Sequence, residues 1–188
     1  MSTATLPAAS ALLTVEEFLR LHGGEGGVDL VNGRVVRQPP MPGPEHGSLC
    51  GEAYSILREF VKPRDLGRLM TNDTFIRVEG DTVRGADVCY ISYQRLPKDQ
   101  PLPAGYFKTT PPELVIEVRS PSDRMTAIMK KIDDYLTAGV DVVVLLDPAV
   151  ASVTVFRKDF EQQLVKSEEL RIPELHPDFS VPVDRFFA

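Results

Sequence analysis

Leu114 to Asp147, LVIEVRSPSDRMTAIMKKIDDYLTAGVDVVVLLD, reads as strand, helix, strand, and the rest of the fold is arranged around it. Leu114, Val115, Ile116 and Val118 form a short apolar run bounded by Pro111 and Pro112 before it and by Ser120, Pro121 and Ser122 after it, as in a buried strand. Ser120, Ser122 or Asp123 then caps a helix reaching Ala138, with Met125, Ile128, Met129, Ile132, Tyr135 and Leu136 along one face and Gly139 just past its end. Val140 to Asp147 is a second apolar strand, stopped by Pro148. A unit of this length returns the chain parallel to its first strand, so the spacing predicts an α/β sheet with a parallel pair at its centre.

Glu117 is out of place in that first strand. An ionised carboxylate among apolar neighbours costs several kcal/mol unless it is paired, protonated or bound to a metal. One reading puts Glu117 on the wetter face of a half-exposed strand; the other makes it part of a site. Arg119 alternates onto the same side, so a Glu117–Arg119 ion pair is a rival that needs no ligand. At 100° per residue Lys130 falls opposite the apolar face of the helix and reads as solvated. Lys131 falls at the edge of that face, beside Ile128 and Tyr135, where its ammonium either stays in solvent or bends back toward the end of the preceding strand.

The bulk composition sets the class. With 188 residues, 43% of them hydrophobic, the chain can bury one good core, which predicts a single domain over 13–188 behind a flexible tail over 1–12. Cys50 and Cys89 match no metal spacing and read as buried thiols of a reducing compartment, with a single disulfide as the alternative. The start, MSTATLPAASALL, has neither a basic n-region nor a long apolar h-region, and no run is long enough to span a bilayer, so a cytoplasmic protein with no membrane partner is expected. A net charge of -6 argues against a general nucleic-acid coat but allows a local basic cleft. There is no GxGxxG after a strand, no GxxxxGK[ST] and no GxSxG, and only His22, His46 and His176 are present. Nucleotide cradles and a serine-hydrolase triad therefore lack support, and the Cys and His spacing gives none to zinc.

The upstream half supplies more elements. Thr14 and Glu17 spell a capping box, with Leu13 and Phe18 as its hydrophobic staple, for a helix over Val15–Leu21. Val28 to Val36 reads as a hairpin around Asn32-Gly33. The Pro-rich link Pro39–Pro44 leads into a helix over Glu45–Val61 with Leu49, Ala53, Ile56, Leu57 and Phe60 on its apolar face. His46 lies on the inward side, as a hydrogen-bonded helix-start residue or as a ligand. Thr71 to Ser92 reads as strands interrupted near Glu79-Gly80-Asp81, with Asp87 in the best of them, either an ordinary strand-start Asp or a ligand. Gln94 to Thr110 looks like a surface loop, Ser152 to Arg157 a further strand, and Ile172 to Ala188 a short strand with a final hydrophobic plug.

Asp87 and Glu117 are then two oxygen ligands with a lysine and an arginine close by. Such ligands suit Mg²⁺ or Mn²⁺, and a carboxylate pair with a fixed ammonium is what metal-assisted phosphodiester hydrolysis requires. Asp87, Glu117 thirty residues later, SPSD, a helix with Lys131 four before Tyr135, Ala138-Gly139-Val140 and a strand ending Asp147-Pro148 together resemble the Uma-type restriction endonuclease family of the PD-(D/E)xK nuclease superfamily. The resemblance also takes in the capped first helix, Asn32-Gly33, the Pro-rich turn with His46 and the closing Leu175 to Phe187 segment.

The resemblance implies an α/β (α+β) fold, a restriction-endonuclease-like core of mixed β-sheet flanked by helices. It also implies Mg²⁺ (or Mn²⁺) held by residues matching Asp87 and Glu117, with Lys131 replacing the strand lysine from the following helix. Asp29, where the family usually has Glu, and His46 are implied as auxiliary groups; a diagonal cross-strand pair with Arg34 on the same hairpin face is the alternative for Asp29. Ala86 stands where the superfamily name has Pro, and Arg119 occupies the xK position. A permanently charged Arg119 can neutralise phosphate but shuttles protons poorly, so any lysine role falls to Lys131. The implied activity is metal-dependent endonucleolytic hydrolysis of DNA, as a homodimer if both strands are cut. A non-catalytic interaction or regulatory module on the nuclease fold is the alternative.

Overall fold

The computed structural model describes residues 12–37 and 43–188, so all but the last residue of the tail expected over 1–12 and most of the Pro39–Pro44 link lie outside the described residues. Helix α1 (Val15–His22) starts at the expected box: the Glu17 amide donates to Thr14 Oγ1 at 3.2 Å and the Thr14 amide donates to Glu17 Oε2 at 2.9 Å. Strands β1 (Val28–Val31) and β2 (Arg34–Arg37) follow around Asn32 and Gly33, at φ 49° and 73°. A two-residue hairpin loop demands that left-handed backbone, which Asn tolerates and Gly adopts freely. Helix α2 (Pro44–Val61) and a long hairpin of β3 (Gly67–Arg77) and β4 (Val83–Ser92) come next.

The deciding unit folds as β5 (Leu114–Val118), α3 (Met125–Thr137) and β6 (Val142–Asp147), with β5 and β6 parallel. Strands β7 (Ser152–Arg157) and β8 (Phe160–Leu164) extend the sheet antiparallel. The main sheet runs β2-β1-β4-β5-β6-β7-β8, with β3 also pairing β4. Strands β9 (Glu169–Arg171) and β10 (Ser180–Pro182) form a small second sheet before a closing 3-10 turn that buries Phe186. The result is a mixed sheet flanked by helices. Among the described residues no helix is long and apolar enough to cross a membrane.

Strand β5 shows why both faces of the sheet are dry. Leu114, Ile116 and Val118 pack with Leu49, Ala53 and Leu57 of α2 on one face, while Val115 packs with Ile132 and Tyr135 of α3 on the other. Alternation therefore turns Glu117 toward α3. The helix itself begins later than its polar residues suggest. Its N-cap is Arg124, without a side-chain cap, because Asp123 Oδ2 accepts instead from the Ser120 amide at 2.8 Å. Short polar side chains that bond nearby backbone close a turn as readily as they cap a helix, and here Ser120 to Asp123 close the turn.

The C-terminal segment is tied to β7 by Arg157, whose Nη2 donates to Glu174 Oε2 at 3.0 Å. Burial pushes the Glu174 carboxyl up, but its contact with Arg157 outweighs this and holds it below its ordinary value of 4.5. A depressed carboxylate contributes stability that is full above about pH 4.5 and is lost as pH falls through the lower folded value. Glu174→Gln is expected to remove about 1 kcal/mol at neutral pH and to flatten the acid limb of the stability curve. Denaturant melts from pH 7 to pH 3 check this; an unchanged acid limb contradicts it.

Candidate active site

The β4–β5 ladder pairs Tyr90 with Leu114, Cys89 with Val115 and Val88 with Ile116. One further step would set Asp87 opposite Glu117, and there the strands part. The Val118 amide donates to Asp87 Oδ2 at 2.8 Å, so a carboxylate stands where the ladder would have placed a backbone carbonyl. Extension of the register thus brings together two acids thirty residues apart in sequence. The fork opens beside the C-terminal ends of the parallel strands β5 and β6, the usual location of a site in such a sheet.

From α3, Lys131 Nζ donates to Glu117 Oε2 at 2.6 Å and the Tyr135 hydroxyl donates to Glu117 Oε1 at 2.9 Å. From α2, His46 Nε2 lies 3.3 Å from Asp87 Oδ2, and its Nδ1 lies 3.5 Å from Cys50 Sγ. A pocket of about 450 Å³ opens here, and Asp29, His46, Asp87, Glu117, Arg119 and Lys131 all contribute to its wall.

The charges are strongly coupled. Burial raises the proton affinity of Glu117; Lys131 opposes this and the Asp87 charge adds to it, leaving the carboxyl up at about 8. Burial would lower Lys131, yet the charges of Glu117, Asp29 and Asp87 outweigh it, so the ammonium is held protonated. Asp87 is pushed up by burial but ends below its ordinary value through His46, Lys131 and the Val118 amide. His46 is raised to about 10, first by its bond to Asp87. Once Glu117 gives up its proton, two carboxylates face an imidazolium and an ammonium.

Two pairings differ from those weighed on the sequence. Arg119 Nη1 donates to Asp147 Oδ2 at 2.5 Å, and Glu117 is satisfied from α3 instead. The reason is local: β5 ends at Val118, so strand alternation does not extend to Arg119, which turns to the end of β6. Asp29 lies opposite Val36 in the hairpin register, which sets Arg34 on its diagonal as expected, yet its carboxylate turns to another partner. Its Oδ2 accepts from Arg84 Nη1 at 3.0 Å and its Oδ1 from the Gly85 amide at 2.9 Å. Arg84 also grips Asp134 through Nε at 2.8 Å and Nη2 at 2.6 Å, and Lys130, largely exposed, donates to Asp134 at 2.8 Å.

Tyr135, Arg84 and Cys50 are the residues that sequence reasoning did not assign to this region. For Tyr135 and Cys50 a signal existed: each lies four residues along a helix from a candidate, Lys131 and His46, and i,i+4 neighbours share a face. Cys50, His46 and Asp87 lie in the order of a nucleophile, a base and an orienting acid. Burial pushes the thiol's proton affinity up and Cys50 does not line the pocket, both of which weigh against a nucleophilic thiolate. As metal donors, Asp87 and Glu117 offer carboxylate oxygens; both contacts of Asp87 fall on Oδ2 and neither uses Oδ1. Among the described residues, His46, Cys50 and Asp87 form a group whose ligand atoms lie within 4.8 Å of one another.

Residues 15–184 match the family model Uma2, described as "Putative restriction endonuclease". No curated protein matches the chain. Among solved structures, the chain is similar to that titled as a putative nuclease belonging to DUF820 from Anabaena variabilis, at 23% sequence identity and a TM-score of 0.81, over 93% of this chain and 97% of that one. At that identity the likeness is one of fold: a mixed sheet with flanking helices.

Proposed function

The chain belongs to the Uma2 family, and from that premise we propose that it is a metal-dependent endonuclease hydrolysing phosphodiester bonds in DNA. The observation that supports the reading is the convergence of Asp87, Glu117 and Lys131 on one pocket at the fork between β4 and β5. The donor set fits Mg²⁺ or Mn²⁺: two carboxylates, one with an oxygen its contacts leave unused, the other with raised proton affinity that a cation in the proton's place would relieve. Asp87 and Glu117 would hold the ion, which when bound supplies a Lewis acid for a phosphoryl oxygen and lowers the pKa of a water.

The chain's own residues do the rest. Lys131, held protonated, presents a fixed positive charge to the phosphate as negative charge builds on its oxygens. Tyr135 pins the other oxygen of Glu117, and His46 and the Val118 amide orient Asp87. Arg119, at the pocket wall, adds charge for the backbone of the substrate. Cutting both strands calls for two copies, hence a homodimer. Cys50 and Cys89 are free thiols, which supports a reducing, cytoplasmic setting. The internal pairing of both acids favours the second reading, a nuclease-fold module that needs no metal to be stable.

A plasmid nicking assay separates the two. Mg²⁺ or Mn²⁺ is expected to support nicking, and Lys131→Ala to slow it about 100-fold, the usual loss for one charge-stabilising donor. A pure protein that cleaves no DNA with either ion, and binds neither by calorimetry, removes the enzyme reading.

A further inference from the structure

We propose that His46, Cys50 and Asp87 form a site for a thiophilic divalent ion of the Zn²⁺ class, and that filling it takes Asp87 out of the nuclease site. His46 and Cys50 stand one helical turn apart on α2, whose next turns are anchored by buried Leu49 and Ala53. Asp87 faces them from β4, its carboxylate fixed by the Val118 amide, the kind of supporting bond that orients a metal ligand.

The spacing of His46 and Cys50 suits a tetrahedral ion, with Asp87 close enough to complete the set. The three residues offer one ligand atom each within 4.8 Å of the others, and His46 Nδ1 already lies 3.5 Å from Cys50 Sγ. Bonds of about 2.3 Å to sulfur and about 2.0 Å to nitrogen at a tetrahedral angle put those two atoms roughly 3.5 Å apart. Three protein ligands leave a fourth position for water.

Donor chemistry decides which ion enters. A thiolate and an imidazole suit Zn²⁺ or Co²⁺, whereas Mg²⁺ keeps to oxygen ligands, so the two classes of ion choose different partners around one shared carboxylate. As the bonds from the ion to Sγ, the imidazole nitrogen and the carboxylate oxygen form, the thiol proton and the imidazolium proton leave to solvent, and no electron changes hands. Zinc leaves no spacing signature here because one ligand comes from a strand; only His46 and Cys50, at i and i+4, are near in the chain.

The binding half of the proposal is independent of catalysis; the competition for Asp87 rests on the nuclease reading. Full-length protein freed of metal is titrated with Co²⁺ for the thiolate-to-metal absorption band and with Zn²⁺ by calorimetry. The expected result is a band at one ion per chain. Cys50→Ser and Cys50→Ala are expected to remove the band and to weaken Zn²⁺ about tenfold or more. Cys89→Ser, whose thiol is buried in the core under α3, leaves both unchanged. No band, or a band and affinity that persist without Cys50, overturns the site. In a second arm Zn²⁺ is titrated into Mg²⁺-dependent plasmid cleavage. Inhibition of the unaltered protein that is lost in Cys50→Ser supports the competition, and cleavage indifferent to Zn²⁺ overturns it. A protein that cleaves no DNA with Mg²⁺ or Mn²⁺ overturns the nuclease reading and the competition with it, while the Co²⁺ band still decides the site.

Discussion

Glu117→Gln is expected to lower metal-dependent cleavage by about 10³-fold or more while leaving a folded protein. Glutamine keeps the shape of the side chain and its bond to Tyr135, so the change removes the ability to ionise onto a metal without opening a cavity. What it leaves behind is Lys131, buried beside a neutral amide. Breaking one side of a buried pair costs about 3–5 kcal/mol, and near neutral pH the cost here falls below that range, because the Glu117 carboxyl, raised to about 8, is already largely protonated and Asp29 and Asp87 still bear on the ammonium. The double variant Glu117→Gln, Lys131→Met is therefore expected to recover most of that stability and none of the activity. Thermal melts and plasmid nicking, run on the single and double variants, separate the two roles of the carboxylate. Full activity in the single variant would reduce Glu117 to a structural ion pair.

Arg84→Met is expected to produce the largest loss of stability. The guanidinium bridges Asp29 and Asp134, all three buried, and thereby ties β1 to α3 through β4. Its removal leaves two carboxylates with one partner each, the Gly85 amide and Lys130. Uncompensated buried charge of this kind costs about 3–5 kcal/mol. At roughly 2–4 °C per kcal/mol for a chain of this size, the midpoint falls by about 10 °C. Arg84→Lys recovers little, since one ammonium cannot reproduce a planar fork gripping two acids. The triple variant Arg84→Met, Asp29→Asn, Asp134→Asn is expected to regain much of the loss; a single variant that melts within about 1 kcal/mol of the parent contradicts the bridge.

The sequence made some parts of this plain for physical reasons. Hydrophobic period is a local signal, so the β5-α3-β6 unit, the Asn32-Gly33 hairpin and the face of α2 could all be read directly. Glu117 stood out because a charge in an apolar strand is costly wherever the strand lies. Pairings between distant segments were less accessible. Asp29 takes Arg84, fifty-five residues away, because β1 and β4 pair in a register that no local pattern encodes. Arg119 takes Asp147 because the strand stops one residue earlier than simple alternation assumes. Strands β8 and β9 escaped notice for another reason: FEQQL is exposed except for Leu164, and ELR is too short to show a period.

The fork at Asp87 has a spectroscopic consequence. The Val118 amide proton rests on the same carboxylate oxygen that contacts His46. Any ion, proton or phosphate that draws on Asp87 changes the electron density this one N–H feels, and so its resonance frequency and its rate of exchange with solvent. The protein thus carries its own indicator of site occupancy, one backbone nucleus that reports on binding without added dye, label or substrate.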